Sequence, residues 1–202
     1  MIKRLFILMA LTFSALSVNA QIIKASFGIK GAGVGTVVST AKDATFSGSV
    51  GGGGGAFFGL KLANFLGVQA EALYTKQTIN YDFEEFADLE TYHGLQTYVL
   101  VPAVAQLWLG RSVALEVGIQ KAIGKDETIM SSTNIPKDAV GLQDYDSYIA
   151  GINFNLGKVG VLDFRYLTGI DGTYSKKNPG AVQSFQVSLG FRLFSSKKHL
   201  FR

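Results

Sequence analysis

The stretch Ser184-Phe-Gln-Val-Ser-Leu-Gly-Phe-Arg-Leu-Phe194 decides the fold. Phe185, Val187, Leu189, Phe191 and Leu193 share one parity, and Ser184, Gln186, Ser188, Gly190 and Arg192 share the other. Successive side chains of a strand point to opposite faces, so a period of two marks a strand with unlike sides. Three further stretches repeat it. Leu66, Val68, Ala70, Ala72 and Tyr74 alternate with Gly67, Gln69, Glu71, Leu73, Thr75 and Gln77. Val113, Leu115, Val117 and Ile119 alternate with Ala114, Glu116, Gly118 and Gln120. Tyr148, Ala150, Ile152, Phe154 and Leu156 alternate with Ser147, Ile149, Gly151, Asn153 and Asn155.

Working outward from these segments places eight strands, at about 24–38, 49–62, 65–82, 94–109, 112–123, 145–157, 159–170 and 182–194. All exceed the five or six residues usual for globular strands. All reach the 9–11 residues of a tilted membrane-spanning strand. The connections alternate in length. Ala63-Asn64, Gly110-Arg111 and Gly157-Lys158 are tight turns, whereas 39–48, 83–93, 124–144 and 171–181 are long and polar. Short turns on one rim and long loops on the other build outer-membrane barrels, with the short turns periplasmic. The reading is therefore an all-β, eight-stranded, antiparallel up-and-down transmembrane β-barrel. A soluble ligand-binding barrel would carry its apolar parity inward. Here the small and polar parity suits a crowded lumen, and the Leu, Val, Phe and Tyr parity suits lipid. Tyr74, Tyr148, Tyr166 and Phe191 have outward parity and are candidates for an interfacial belt. Pro102 falls mid-strand, where it lacks a ladder donor, and a bulge or irregularity is expected there. The run Gly51–Gly55 carries no side chains and little register information.

The chain begins with basic Lys3-Arg4, then an apolar run from Leu5 to Leu16, then small residues before Gln21. This is the pattern of a secretory signal peptide at 1–20, too short in its apolar run to span a bilayer. A barrel domain over 21–194 and a short tail over 195–202 complete the division. Lys3 and Arg4 account for two of the formal net charge of +4, and no basic run exceeds two residues, so nothing points to nucleic acid. The absence of cysteine excludes disulfides, thiolate zinc sites and a cysteine nucleophile. Aromatics at 12% and charges at 17% exclude a disordered chain.

Several stretches resemble the PorT-like outer-membrane β-barrel proteins of Gram-negative bacteria. They are Phe27-Gly-Ile-Lys-Gly31, Gly59-Leu-Lys-Leu62, Val68-Gln-Ala-Glu-Ala-Leu-Tyr74, Tyr98-Val-Leu-Val-Pro102, Phe164-Arg-Tyr-Leu-Thr-Gly169 and Val187-Ser-Leu-Gly-Phe-Arg-Leu-Phe194. The resemblance spans nearly all of the chain after the signal. It implies an outer-membrane location, contact with outer-membrane lipids, and insertion by the barrel assembly machinery. One branch of the family is linked to protein secretion. Such barrels end on an aromatic that the assembly machinery reads. Phe194 fits that place, although Ser195–Arg202 follows and Phe201 is an alternative.

No catalytic constellation emerges, and neither cofactor nor metal is expected. Gly51-x-Gly53-x-x-Ala56 leads into Phe57-Phe58-Gly59-Leu60 rather than a helix, so it fails the dinucleotide context. His93 and His199 are isolated. The informative charges have inward parity: Lys30, Glu71, Glu116, Asp163, Arg165 and Arg192, three of each sign. Counted from the tight turns, they fall near the middle or lower lumen. Isolated charges there are costly, so opposite signs should pair, Glu71 with Arg165 first. An eight-stranded lumen is just wide enough for side chains to fill it. A structural salt-bridge plug is expected over an ion path. Glu84, Glu85, Asp88 and Glu90 in the 83–93 loop could meet a divalent cation or a basic partner. They lack the Asp spacing and central Gly of a calcium loop, and read first as a solvated acidic loop. An external partner, such as an envelope protein, would contact this loop and loop 124–144. The expected function is a non-catalytic structural or interaction barrel. The alternatives are a narrow passive channel, a lipid-acting enzyme and a soluble periplasmic ligand-binding barrel.

Overall fold

The structure is a computed structural model, and it describes residues 22–39, 44–46, 49–62, 65–83, 90–131, 144–170 and 181–199. The expected signal segment lies outside these residues, as do Glu84, Glu85 and Asp88. In chain order the strands are β1 (Ile22–Ser39), β2 (Ala44–Phe46), β3 (Ser49–Leu62), β4 (Leu66–Phe83) and β5 (Glu90–Trp108). Then come β6 (Val113–Ser131), β7 (Tyr145–Leu156), β8 (Gly160–Gly169) and β9 (Ala181–His199).

Every long strand pairs antiparallel with its sequence neighbours, and β1 closes on β9 from Ile22↔His199 to Ser39↔Ala181. The result is a closed barrel with an eight-stranded wall. The short β2 adds no wall strand. Its Phe46 pairs Tyr81 of β4, just beyond the β3 pair Val50↔Thr78, so it prolongs the β3 side of that hairpin. Two short connections turn on glycines in the left-handed region, Gly110 at φ 95° and Gly157 at φ 71°. A residue without Cβ adopts that conformation freely.

Three expectations need correction. Strand β6 runs on to Ser131, into the stretch read as loop 124–144. Likewise β5 starts at Glu90, inside the expected 83–93 loop, and β9 reaches His199, through most of the expected tail. These extensions are polar and do not alternate. Outside lipid neither face must be apolar, so the period fades while the ladder continues: Thr97↔Asp126 and Gln96↔Glu127 at one rim, Lys24↔Lys197 and Ala25↔Ser196 at the other. The irregularity expected at Pro102 is present, as a break in one ladder. The β4–β5 ladder stops at Ala70↔Ala103 and resumes at Leu73↔Leu100 in the same register. The missing donor interrupts the ladder without a bulge. Register shifts fall instead at His93/Gly94 and Thr97/Tyr98 of β5, and at Phe27/Gly28 of β1.

The glycine run is well specified. Inward-facing Gly51, Gly53 and Gly55 lie opposite Gln77, Thr75 and Leu73 of β4. A Cβ on Gly53 would come within 2.0 Å of the Tyr74 carbonyl oxygen, and one on Gly55 within 1.9 Å of that of Ala72. The run lets β3 press against β4 where the narrow wall bends.

The outer surface carries the apolar parity. Val117 is 62% exposed, Phe185 61% and Leu193 63%, and Val68, Tyr74, Ile119, Tyr148 and Phe191 are exposed with them. A continuous apolar band of this extent cannot face water. Lipid covers such a band in barrels of this build. The lumen is more mixed than its expected polar character. Toward the long-loop rim Ala32, Leu73, Tyr98, Leu100, Ala122 and Tyr145 form a buried apolar layer. The Tyr98 and Tyr145 rings meet edge to face at 5.5 Å, and the Tyr98 hydroxyl donates to Gln96 Oε1 at 2.7 Å.

Candidate functional site

Below that layer, nearer the short turns, five of the six inward charges converge. Lys30 comes from β1, Glu71 from β4, Glu116 from β6, and Asp163 and Arg165 from β8. Lys30 Nζ lies 2.6 Å from Glu71 Oε1 and 2.6 Å from Asp163 Oδ2. Arg165 Nη2 lies 2.6 Å from Glu71 Oε1, and its Nε lies 2.7 Å from Glu116 Oε2. All five side chains are fully buried. Glu71 Oε1 is the hub, because Gln69 Nε2 also donates to it at 2.7 Å. Gln106 Nε2 joins Glu116 Oε1 at 2.8 Å to Gln69 Oε1 at 3.3 Å. Asp163 accepts from Asn153 Nδ2 and, at 3.0 Å, from Ser188 Oγ. These neutral arms satisfy lone pairs that would otherwise make a buried ion network costly.

Arg192 does not join. It lies half-buried toward the short-turn rim, where it donates to Asn155 Oδ1. Two residues separate it from Gly190, the register partner of Lys30, and two strand residues carry it about 7 Å down the wall. The central network therefore holds three carboxylates against two cations. Of the acidic loop residues, Glu90 heads β5.

Parity alone does not reveal which small residues make the network possible. Lys30 lies in register between Gly55 of β3 and Gly190 of β9. With no side chains on either flank, its stem reaches Glu71 on one side and Asp163 on the other, and its Nζ lies 5.3 Å from the Phe57 ring centroid. Gly151 of β7 lies between Glu116 and Arg165 in register. A Cβ there would stand 2.9 Å from Arg165 Cγ. The guanidinium crosses a whole strand because that position is empty. Counting outward from a two-residue Gly157-Lys158 turn pairs Gly151 with Phe164. The observed first pair is Leu156↔Gly160, and that one-residue difference brings Gly151 opposite Arg165.

Among the described residues no group of three or more His, Asp or Glu side chains is placed to hold a metal ion. The packed network offers no open acid–base pair or nucleophile. What it can do is fill the lumen and tie together strands distant in sequence.

The closed antiparallel eight-stranded wall with an apolar exterior is the architecture of bacterial outer-membrane β-barrels. Neisserial surface protein A shares it, with 10% identity, a TM-score of 0.54, and coverage of 84% of this chain and 99% of that one. The chain also aligns with Ail, the attachment invasion locus protein of Yersinia pestis, at 19% identity and TM-score 0.45 over 85% of this chain and 99% of that one. Its alignment with the outer membrane protein OprG of Pseudomonas aeruginosa has 13% identity and TM-score 0.41 over 87% and 97%. No family model and no curated protein sequence matches the chain.

Proposed function

We propose that the chain is an integral outer-membrane barrel of the PorT-like kind, exported by its 1–20 segment. Its lumen is shut, and it acts as a non-catalytic structural or interaction barrel through its two ends. The observation that carries this reading is the ion network itself. Lys30, Glu71, Glu116, Asp163 and Arg165 meet across the lumen with side chains at 0% exposure. A conducting pore needs a continuous water-filled path, and an eight-stranded interior is narrow enough for side chains such as these to block it. The apolar exterior supports the location and the contact with outer-membrane lipids. An envelope protein would meet the barrel at its polar rims.

The test is conductance in a planar bilayer. The wild-type chain should pass no steady current, whereas Arg165→Ala and Glu71→Ala should open measurable conductance in folded protein. Stepwise current through the wild type would replace this reading with a narrow passive channel.

A further inference from the structure

At the short-turn end the lumen widens into a vestibule of about 1010 Å³. Lys24 of β1, Lys61 of β3, Arg111 and Lys158 of the turns and Arg192 of β9 line it, and no carboxylate is among the described residues that do. Lys24 and Arg192 are like-charged neighbours of Lys61. Collecting five cations from five segments costs self-repulsion. A cleft of one sign with low-dielectric walls also concentrates the opposite sign. Asp163 acts on Arg192 from above, but all three lumen carboxylates already contact Lys30 or Arg165, so the vestibule's own lining stays positive.

A second, independent feature points to a ligand. Trp108 lines the same vestibule, is only 7% exposed, and its indole Nε1 finds no acceptor among the described residues. A buried indole N–H ordinarily finds a partner. The face of the ring is covered by Lys61, whose Nζ lies 3.7 Å from the centroid. Gly67 borders the N–H, and a Cβ there would lie 3.1 Å from Nε1. The cations are also positioned. Asn155 holds Arg192 through its Oδ1, and its Nδ2 donates to the Arg111 carbonyl oxygen at 2.9 Å.

We propose that this vestibule is a binding site for a phosphate-bearing ligand with several anionic oxygens. Arg192, Arg111, Lys61, Lys24 and Lys158 supply charge-assisted hydrogen bonds, and Trp108 Nε1 supplies a neutral donor. Guanidinium groups match phosphate oxygens in pairs, while the lysines act as point charges. The volume lies at the upper end of small-molecule sites, so it admits a phosphate with an organic body. The site follows from the lumen geometry. Only its periplasmic side, and so the choice between a lipid headgroup and a soluble phosphate ester, rests on the outer-membrane reading.

Trp108 is the only tryptophan in the chain, so intrinsic fluorescence reads the site without a label. The full chain, purified in a zwitterionic detergent, is titrated with tripolyphosphate against sodium chloride of matched ionic strength. A saturable emission change with tripolyphosphate alone is expected. Arg192→Gln and Lys61→Gln should each raise the half-saturation concentration about tenfold, the effect of one charge-assisted bond. Arg111→Gln, on an exposed turn, gives the same test should Arg192→Gln fail to fold. Absence of a saturable change, an equal response to chloride, or indifference to these substitutions would overturn the proposal. Nanodiscs then separate the sources. An emission shift in phosphatidylglycerol but not phosphatidylcholine assigns a headgroup. Equal spectra in both, with tripolyphosphate still saturating, assign a soluble ester. The unboiled-against-boiled gel shift of the same sample reads the barrel separately, so the two readings fail independently.

Discussion

At the scale of single residues, the lumen depends as much on missing side chains as on charged ones. Gly55 and Gly33 make the contrast measurable. A Cβ on Gly55 would strike the Ala72 carbonyl, whereas nothing stands within 4 Å of one on Gly33. Gly55→Val should therefore destabilise the barrel by about 1–3 kcal/mol or more, and Gly33→Val by no more than about 0.5, read from denaturant midpoints in detergent. Equal midpoints would mean that β3 can move away from β4. Arg165 is the second case. Removing it leaves Glu116 and part of the Glu71 hub buried without a cation, so Arg165→Ala should cost about 3–5 kcal/mol. Reversing Arg165 or Glu71 singly should impair folding, and the double Arg165→Glu/Glu71→Arg should recover part of the loss. No recovery would show that the two side chains are not coupled. The charged residues were legible in the sequence because parity exposes a Glu or Arg on an inward face. Their reach was not. Parity says nothing of Gly151, whose emptiness lets Arg165 touch Glu116, nor of the strand stagger that leaves Arg192 below the network.

At the scale of elements, strands are legible where lipid forces the two faces apart and obscure where it does not. The segment 184–194 declares itself because every second side chain leaves water. Ser195–His199 continues the same strand silently, held by its ladder to Ile22–Ser26 of β1. A chain ending at Phe194 should still close its wall, since β9 keeps its pairs from Phe194↔Phe27 to Ala181↔Ser39. It should lose protection at residues 22–26, measured by amide hydrogen exchange in detergent, while 29–36 stay protected. Unchanged exchange at 22–26 would mean that the terminal pairing contributes no order. Pro102 shows the complementary limit. The proline predicts a lost donor, and β4–β5 indeed skips two pairs beside it. The register nonetheless holds, because closure fixes both neighbours of β5 and leaves it no freedom to slip.

At the scale of the whole molecule, one barrel presents three chemically distinct regions along its lumen. A basic vestibule opens at the short turns, a buried ion network closes the middle, and an apolar layer with the Tyr98–Tyr145 pair lies toward the loops. The exterior is apolar throughout the band that carries Val117, Phe185 and Leu193. The vestibule escaped the sequence reading because its cations come from five segments with no shared motif. Only closure of the wall assembles Lys24, Lys61, Arg111, Lys158 and Arg192 in one place. The central claim is that the apolar face meets lipid around a closed wall. Its most direct test is to isolate outer membranes from cells expressing the full chain, and to run them unboiled and boiled on a detergent gel. A band in the membrane fraction whose mobility changes on boiling, as a closed barrel unfolds, is the expected result. A chain found in the soluble fraction, running identically with and without boiling, would contradict it.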